Sequence, residues 1–244
     1  MISIKNLSAS VDQSVILHQI SLDIEPGAVT LLMGPNGSGK SSLAHVLAGN
    51  PLYLTTAGTV TLDGKSLLPL LPHERSLLGL FVLFQNVPAI PGLTVFTLLK
   101  EALYARNQEF QDVAIFEKKI FEYMDFLGLD KSLLYRGVHD GFSGGEKKRF
   151  ELLQLLILKP RWIIFDEVDS GLDVDAFRLV KKVIDLLMQE NPQLGVLCIT
   201  HYQKMAHSMQ PSRVYILCNG RIVDSGGSEL VERIECAGYS AYEQ

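Results

Sequence analysis

Several features that would assign this chain to other classes of protein are missing from its sequence. No stretch reaches the roughly 18 consecutive apolar residues of a membrane-spanning helix, although 47% of the 244 residues are hydrophobic and the mean hydropathy is +0.19. The segment from Met1 to Leu7 alternates apolar and polar residues, and it lacks the charged start and apolar block of a secretory signal peptide. We therefore expect a cytoplasmic protein that does not insert into a membrane.

Cysteines and basic residues are also scarce. The three cysteines, Cys198, Cys218 and Cys236, include no Cys-x-x-Cys pair, which is typical of a reducing compartment and gives no metal-binding pattern. Cys198 and Cys218 lie in apolar runs and are predicted to be buried hydrophobic residues. The net charge of -5 excludes a broad basic surface, so no nucleic-acid partner is expected.

Apolar runs of strand length recur along the chain, with helical patterns between several of them. This alternation predicts a parallel sheet that is covered by helices on both faces. A chain of this length forms one large α/β domain without disulfide bonds. The predicted strands are Val29–Met33, Leu80–Phe84, Trp162–Phe165, Val196–Ile199 and Val214–Leu217.

Shorter alternating segments near the beginning of the chain predict a second, antiparallel β layer. They lie around Ile2–Leu7, Ile16–Ile24 and Thr59–Leu62. Farther along, Asn219-Gly220 separates two strand-like runs, and this dipeptide is a strong signal for a β-hairpin.

Between Val87 and Gly141 the strand pattern stops and helical spacing replaces it, which predicts an inserted helical lobe. One helix face carries Phe116, Ile120, Tyr123, Met124 and Leu127, and Gly128 follows as a C-terminal cap. The segment Asn86–Gly92 contains two prolines and a glycine, so we expect a loop there rather than a strand or helix.

A glycine-rich segment follows the first apolar strand and precedes a helix-forming stretch, which is the context of a phosphate-binding loop. Its backbone N–H groups are expected to surround β- and γ-phosphates, Lys40 to neutralise their charge, and Ser41 to bind Mg²⁺. The predicted ATP-binding residues are Gly34, Pro35, Asn36, Gly37, Ser38, Gly39, Lys40, Ser41 and Ser42.

The apolar strand Trp162–Phe165 ends in two carboxylates, Asp166 and Glu167. Asp166 is predicted to hold Mg²⁺ through water. Glu167, one residue beyond the strand, is predicted to act as the general base that polarises the attacking water. Together with Lys40 and Ser41 this arrangement predicts a nucleoside triphosphatase that hydrolyses its substrate.

Further motifs resemble those of ATP-binding-cassette (ABC) ATPases, and they occur in the order found in that family. Phe142-Ser143-Gly144-Gly145-Glu146 resembles the signature motif, and Asp169–Asp173 matches the D-loop. By this resemblance Gln85 senses Mg²⁺ and His201 is the catalytic switch histidine. The resemblance also implies that Ser143, Gly144, Gly145 and Glu146 face a nucleotide held by a second ATPase chain, so that two chains enclose two ATP molecules head to tail.

The resemblance narrows to the SufC-type ATPases of the Suf iron-sulfur cluster assembly system and covers essentially the whole chain. Its most specific elements are Glu146-Lys147-Lys148-Arg149 after the signature and Ile90-Pro91-Gly92 after Gln85. It implies a single ABC ATPase domain over residues 1–244, with a P-loop NTPase core, an antiparallel β layer and a helical lobe at about 87–145. It also implies docking on scaffold proteins of the SufB and SufD type.

The sequence departs from this family at a few positions. Phe150 stands where members often have asparagine, Val168 where they have threonine or serine, and the segment 238–244 differs from their usual tail. The position that often carries an adenine-stacking aromatic residue in ABC proteins aligns with Val11. Without a base-aromatic stack, we expect weaker and less base-selective nucleotide binding.

Two other functions share these motifs. The chain could be the ATPase subunit of a membrane ABC transporter, which would be distinguished by co-purification with a polytopic membrane protein. It could also be an ATP-dependent clamp that does not hydrolyse its nucleotide, but Glu167 argues against this alternative.

Overall fold

The computed structural model describes residues 1–85, 87–106, 112–167, 174–200 and 203–242. The chain divides into two compact units. The first comprises Met1–Gln85, Arg161–Gly171 and Met188–Gln244, and the second comprises Asn86–Pro160 and Leu172–Leu187. The segment predicted as a helical lobe, about 87–145, belongs to the second unit. That all 244 residues form one domain stays a prediction.

The described residues form mixed α and β structure. The strands are β1 (Ile2–Val11), β2 (Ser14–Ile24), β3 (Val29–Met33), β4 (Leu54–Leu62), β5 (Lys65–Ser66), β6 (Leu80–Leu83), β7 (Ile90–Thr94), β8 (Gly137–Val138), β9 (Trp162–Asp166), β10 (Gly195–Ile199), β11 (Arg213–Cys218) and β12 (Arg221–Gly226). The helices are α1 (Lys40–Ala48), α2 (Pro72–Leu77), α3 (Val95–Ala105), α4 (Val113–Leu127), α5 (Gly144–Leu158), α6 (Val174–Glu190), α7 (Gln203–Ser208) and α8 (Glu229–Ala237). None of the described helices has the length and apolarity needed to cross a bilayer.

The first unit is built on a six-stranded sheet in the order β12-β11-β3-β10-β9-β6. All neighbouring strands are parallel except β11 and β12, which pair antiparallel. Every residue of β3, β9 and β10 is buried, which explains why these strands are continuous apolar runs in the sequence. The predicted parallel sheet is confirmed.

A second sheet in the first unit has the order β2-β1-β4-β5 and is antiparallel throughout. It confirms the predicted antiparallel layer. Its inward-facing residues, such as Ile4, Leu17 and Val60, share one hydrophobic core with Leu43 and Leu47 of α1. The predicted hairpin is also present, because β11 and β12 pair antiparallel on either side of Asn219-Gly220.

The second unit is mainly helical. The predicted helix is α4, on which Phe116, Ile120, Met124 and Leu127 are buried, and Gly128 ends it in the left-handed conformation at φ 65°. Helix α4 packs against α5. Arg149 of α5 donates a hydrogen bond of 2.9 Å to the carbonyl oxygen of Gly128 and so satisfies the end of α4.

The predicted absence of strands from the 87–141 segment is wrong. Strand β7 pairs antiparallel with β8, although it contains Pro91 and Gly92. The ladder is irregular, because Ile90 pairs with Val138 and Thr94 with Gly137 while the three residues between them have no partner in the register. Pro91 therefore lies in a bulge, where it is not required to donate a ladder hydrogen bond.

Candidate functional site

The phosphate-binding motif connects β3 to α1 in the first unit. Helix α1 begins at Lys40, and its N-cap is Gly39, which has a φ of 104° and makes no side-chain capping bond. The first N–H groups of any helix have no partner within the helix, and they attract anions. The beginning of α1 therefore presents backbone donors that no side chain of the N-cap covers.

A cavity of about 600 Å³ lies at this end of α1. Its walls contain eight of the residues predicted to bind ATP, to bind Mg²⁺ or to act in catalysis, together with Ile16. The lining residues are Ile16, Asn36, Gly37, Gly39, Lys40, Ser41, Ser42, Gln85 and Glu167. The remaining predicted loop residues, Gly34, Pro35 and Ser38, belong to the same turn.

Lys40 is held firmly in this cavity. Its ammonium group donates hydrogen bonds of 3.0 Å to the carbonyl oxygen of Gly34 and 2.9 Å to that of Pro35. The same nitrogen lies 3.4 Å from a carboxylate oxygen of Glu167, and the Lys40 side chain is only 3% exposed. A phosphate that enters the cavity would compete with Glu167 for this cation.

Asp166 is the last residue of β9 and contacts Ser41, which lines the cavity. Its carboxylate accepts a hydrogen bond of 2.8 Å from the Ser41 hydroxyl. Burial raises the pKa of Asp166, the Ser41 hydrogen bond opposes that rise, and the nearby charge of Glu167 raises the pKa further. Two predicted Mg²⁺ ligands from distant parts of the sequence are thus in direct contact.

Glu167 adopts an unusual backbone conformation immediately after β9. Its φ of 49° lies in the left-handed region, which is uncommon for a residue with a side chain. The conformation is stabilised by a hydrogen bond of 3.1 Å from its N–H to the carbonyl oxygen of Ile199. Strained residues of this kind cluster at functional sites, where the backbone turn directs a side chain into a cavity.

The oxygen atoms at this site fit a magnesium ion that is shared with a phosphate ligand. Mg²⁺ is usually held by one or two carboxylates together with water and substrate phosphates. Ser41 and Asp166 supply such oxygens, and Gln85 at the end of β6 lines the same cavity. Among the described residues, no group of three or more His, Cys, Asp or Glu side chains forms a metal cage of its own.

Two predicted elements of the site lie outside the described residues. They are His201, predicted to be the switch histidine, and the D-loop Asp169–Asp173. The functions predicted for them stay predictions.

The predicted signature residues belong to the second unit, at the beginning of α5. Ser143 is the N-cap, and its hydroxyl accepts a hydrogen bond of 3.2 Å from the N–H of Glu146. The Glu146 carboxylate in turn accepts a hydrogen bond of 2.7 Å from the N–H of Ser143. These two bonds form a capping box. The backbone hydrogen bond from Ser143 lowers the pKa of Glu146, which therefore carries a negative charge at neutral pH.

An aromatic cluster supports the signature segment from within the second unit. The rings of Phe142, Phe150 and His139 meet edge to face, with centroids 5.3 to 6.0 Å apart. The His139 Nδ1 atom also lies 3.3 Å from the carbonyl oxygen of Pro88. Phe150, which departs from the family pattern, is thus a packed core residue. No motif or periodic pattern in the sequence identified His139 as part of this cluster.

Ile16 is a second residue that the motifs did not identify. The family resemblance aligned Val11 with the base-contacting position, which stays a prediction, and Ile16, five residues farther along the same hairpin, is the residue of this region that lines the cavity. An aliphatic side chain provides apolar contact without aromatic stacking, so the expectation of weak base selectivity stays a prediction.

Known proteins resemble this chain both in sequence and in fold. The sequence profile described as "ABC transporter" matches residues 17–170. The "Vegetative protein 296" of Bacillus subtilis (strain 168) is 41% identical over 245 residues, which cover 100% of this chain and 93% of that protein. The "Probable ATP-dependent transporter SufC" of Escherichia coli (strain K12) is 43% identical over 243 residues, which cover 98% of this chain and 97% of that protein.

One solved structure with the same fold is that of the ATP-binding cassette MJ0796, a dimer in a post-hydrolysis state bound to ADP and Pi. It aligns with a TM-score of 0.78 and 22% identity, over 93% of this chain and 99% of that chain. At this level of identity the likeness concerns the fold, and it confirms the predicted fold class.

Proposed function

The chain belongs to the ABC transporter family of ATPases, and we propose that it energises an iron-sulfur cluster assembly scaffold of the SufB and SufD type. It is an enzyme that binds and hydrolyses ATP. The observation that carries the catalytic part of the proposal is the cavity that collects Lys40, Ser41 and Glu167 on one surface. The scaffold part is supported by the 43% identity to a protein named SufC over nearly its full length.

In this proposal the triphosphate binds at the beginning of α1. Backbone N–H groups of the Gly34–Ser42 segment surround the phosphates, and Lys40 neutralises their charge. Ser41, Asp166 and Gln85 would hold Mg²⁺. A bound ion would supply positive charge that offsets the negative charge of the phosphates. The contact between Ser41 and Asp166 supports this assignment, because it fixes two oxygen donors side by side.

Glu167 is proposed to accept a proton from the water that attacks the γ-phosphate, and His201 keeps its predicted role as the switch histidine. The phosphorus–oxygen bond to ADP breaks as the water oxygen bonds to phosphorus, which yields ADP and phosphate. The ion pair with Lys40 suggests an order of events. When a phosphate takes over Lys40, the Glu167 carboxylate becomes available to a water molecule.

The proposed enzyme needs a second ATPase chain to complete each site. Ser143, Gly144, Gly145 and Glu146 lie at the beginning of a helix, where small residues and backbone N–H groups can bind the γ-phosphate of the partner's ATP. The isolated chain is therefore expected to turn over slowly, and scaffold partners that bring two copies together are expected to accelerate it.

The segment after Gln85, which leads into β7 at Ile90, is the proposed docking site for the scaffold. Ile90 is 43% exposed, which leaves a large apolar side chain at the surface of the second unit. This exposure leaves Ile90 accessible to a partner, and the segment that contains it follows Gln85 directly in the sequence. The alternative partner is a polytopic membrane protein, as the word transporter in the names of its relatives would suggest. Affinity purification from the native cytoplasm and membranes distinguishes the two.

Replacement of Glu167 by glutamine tests the catalytic proposal. Glu167→Gln is expected to retain ATP binding, to lose at least about 100-fold in turnover because the general base is gone, and to accumulate as an ATP-bound dimer. The measurements are phosphate release and sedimentation in the presence of MgATP. Turnover at the wild-type rate would assign the base to another residue.

Replacement of Ile90 by aspartate tests the scaffold proposal. Ile90→Asp is expected to weaken binding to a purified SufB–SufD-type complex and to abolish its stimulation of ATP hydrolysis, with ATP binding unchanged. The matched control is Ile115→Asp, since Ile115 is 68% exposed on α4 of the same unit. Equal affinities of both variants and the wild type for the complex would refute docking at Ile90.

A further inference from the structure

The turn of the β11–β12 hairpin contacts two segments that contribute residues to the nucleotide cavity, the phosphate-binding loop and β2. The N–H of Gly220 donates a hydrogen bond of 2.9 Å to the carbonyl oxygen of Ser38 in the phosphate-binding loop. The carbonyl oxygen of the same residue accepts a hydrogen bond of 2.8 Å from the N–H of His18 in β2. One residue of a surface hairpin thus joins the loop to the strand that carries Ile16.

This contact leaves no room for a side chain at position 220. Gly220 has a φ of 70°, and a Cβ atom built there would overlap the carbonyl oxygen of Ile16 and come within 2.9 Å of His18 Cδ2. On the other side, a Cβ atom built on Gly39 would lie 3.7 Å from the Cα atom of Gly220. The turn is therefore packed between β2 and the residue that precedes Lys40.

We propose that Gly220 is a positioning residue of the nucleotide site, which sets the distance between the phosphate-binding loop and the base-side wall. It does not line the cavity itself. It acts through Ser38, whose carbonyl oxygen accepts its hydrogen bond, and through the segment Ile16–His18, in which Ile16 lines the nucleotide cavity. This inference rests on the proposed function, in which the cavity binds ATP.

A second turn of the same conformation in the same unit provides a matched control. Asp63-Gly64 joins β4 to β5 with φ values of 49° and 82°, and Asn219-Gly220 joins β11 to β12 with φ values of 46° and 70°. A Cβ atom built on Gly64 meets no atom within 4 Å. Alanine is strained by the left-handed backbone at both positions, but only at Gly220 does it also push against the nucleotide site.

The test compares ATP affinity in Gly220→Ala and Gly64→Ala, measured by calorimetric titration of the full chain. Loss of one hydrogen bond that fixes the loop is expected to weaken ATP binding by Gly220→Ala about fivefold or more. Gly64→Ala is expected to keep the wild-type dissociation constant, although it too melts at a lower temperature. Equal ATP affinity in the two folded variants would overturn the proposal.

Hydrogen exchange of the wild-type protein tests the same inference even if Gly220→Ala does not fold. The Gly220 amide is expected to exchange more slowly when ATP is added, because the nucleotide rigidifies Ser38, whereas exchange at Gly64 should not change. A Gly220 amide unaffected by bound ATP would contradict the proposal. ATP binding retained by Lys40→Met would instead reject the nucleotide site, so the two failures are distinguishable.

Discussion

Helix α1 of the first unit and helix α5 of the second unit follow the same plan. Each begins at a glycine-rich segment that resembles an anion-binding motif. At the C-terminal end of each helix, carbonyl oxygens also accept hydrogen bonds from an arginine that lies outside that helix. Arg75 donates hydrogen bonds of 2.6 Å and 2.9 Å to the carbonyl oxygens of Val46 and Leu47 in α1, and Arg106 donates one of 2.8 Å to that of Leu158 in α5.

The two helices differ at their first residues. Helix α1 has a glycine N-cap with no side-chain capping bond, and Lys40 and Ser41 are held by other parts of the first unit. Helix α5 caps itself through Ser143 and Glu146. A phosphate can therefore reach the beginning of α1 without displacing a capping side chain. At α5 it meets a hydroxyl already engaged in a hydrogen bond and a carboxylate that repels it.

This difference offers a reason why the proposed site needs two chains. The first unit brings Lys40, Ser41 and Glu167 to one cavity, whereas the capping bonds and the carboxylate at the beginning of α5 oppose anion binding there. In the proposed dimer the signature would add its binding energy only when a nucleotide is already held by the partner.

The strongest test of these different roles replaces one residue at the beginning of α1 and one at the beginning of α5. Lys40→Met is expected to weaken ATP binding by the isolated chain about a hundredfold, because the buried cation is lost and Glu167 remains without it. Ser143→Ala is expected to keep ATP affinity within about twofold and to lose partner-stimulated turnover. Titration with ATP and phosphate-release assays measure the two effects.

Ser143→Ala also removes a helix cap, which typically costs about 1 kcal/mol of stability. Thermal melting therefore accompanies both assays. If folded Ser143→Ala loses ATP affinity as severely as Lys40→Met, the first unit does not bind ATP independently of the signature segment.

The sequence predicted several elements of the first unit that depend on local signals. Apolar runs predicted the strands β3 and β9, and the carboxylates after the second run were expected beside the phosphate-binding loop, where Asp166 contacts Ser41. The Asn219-Gly220 turn signal predicted the hairpin that contains β12. The bulged strand β7 was missed because Pro91 and Gly92 oppose a strand, and only pairing with β8 overrides that preference.

Contacts between distant segments could not be predicted in this way. The hairpin at Asn219-Gly220 has a local signal, but its hydrogen bond to Ser38 depends on the order of strands in the sheet. Arg75 resembles an ordinary surface residue of α2 in the sequence, whereas it is only 4% exposed in the folded chain. The burial of a polar side chain of this kind can be predicted only when its hydrogen-bond partners are known.

The arginines at the ends of α1 and α5 provide a second test of the comparison. Arg75 makes four hydrogen bonds to carbonyl oxygens, and two of these acceptors, Leu68 and Leu70, lie outside α1. Arg75→Met is expected to reduce the free energy of unfolding by about 2 kcal/mol, because it leaves buried acceptors without donors. Arg106→Met, at a half-buried position, is expected to cost about 1 kcal/mol.

Urea denaturation of the full chain measures both arginine variants, and Arg178→Met is the control because Arg178 is exposed on α6. Desolvation lowers the pKa of both Arg75 and Arg106, but each remains cationic at any pH used in such an experiment. If Arg106→Met lost more stability than Arg75→Met, the arginine at the end of α5 would contribute more to stability than the arginine at the end of α1, which contradicts the prediction.

The smallest expected effect concerns the charge of Glu146. Glutamine at this position retains an oxygen that can accept the hydrogen bond from the Ser143 N–H, so the capping box can persist, while the negative charge beside the proposed phosphate contact disappears. Glu146→Gln is therefore expected to strengthen ATP-dependent dimerisation about two- to fivefold at low salt.

Sedimentation in the Glu167→Gln background, where hydrolysis does not deplete ATP, measures the dissociation constant of the dimer. The control Glu122→Gln makes the same charge change at an exposed position of α4. The gain should disappear in about 1 M salt, where screening acts over roughly 3 Å. If both variants dimerise as the parent does at low salt, the carboxylate does not oppose phosphate binding, and the signature of α5 is as well suited to an anion as the beginning of α1.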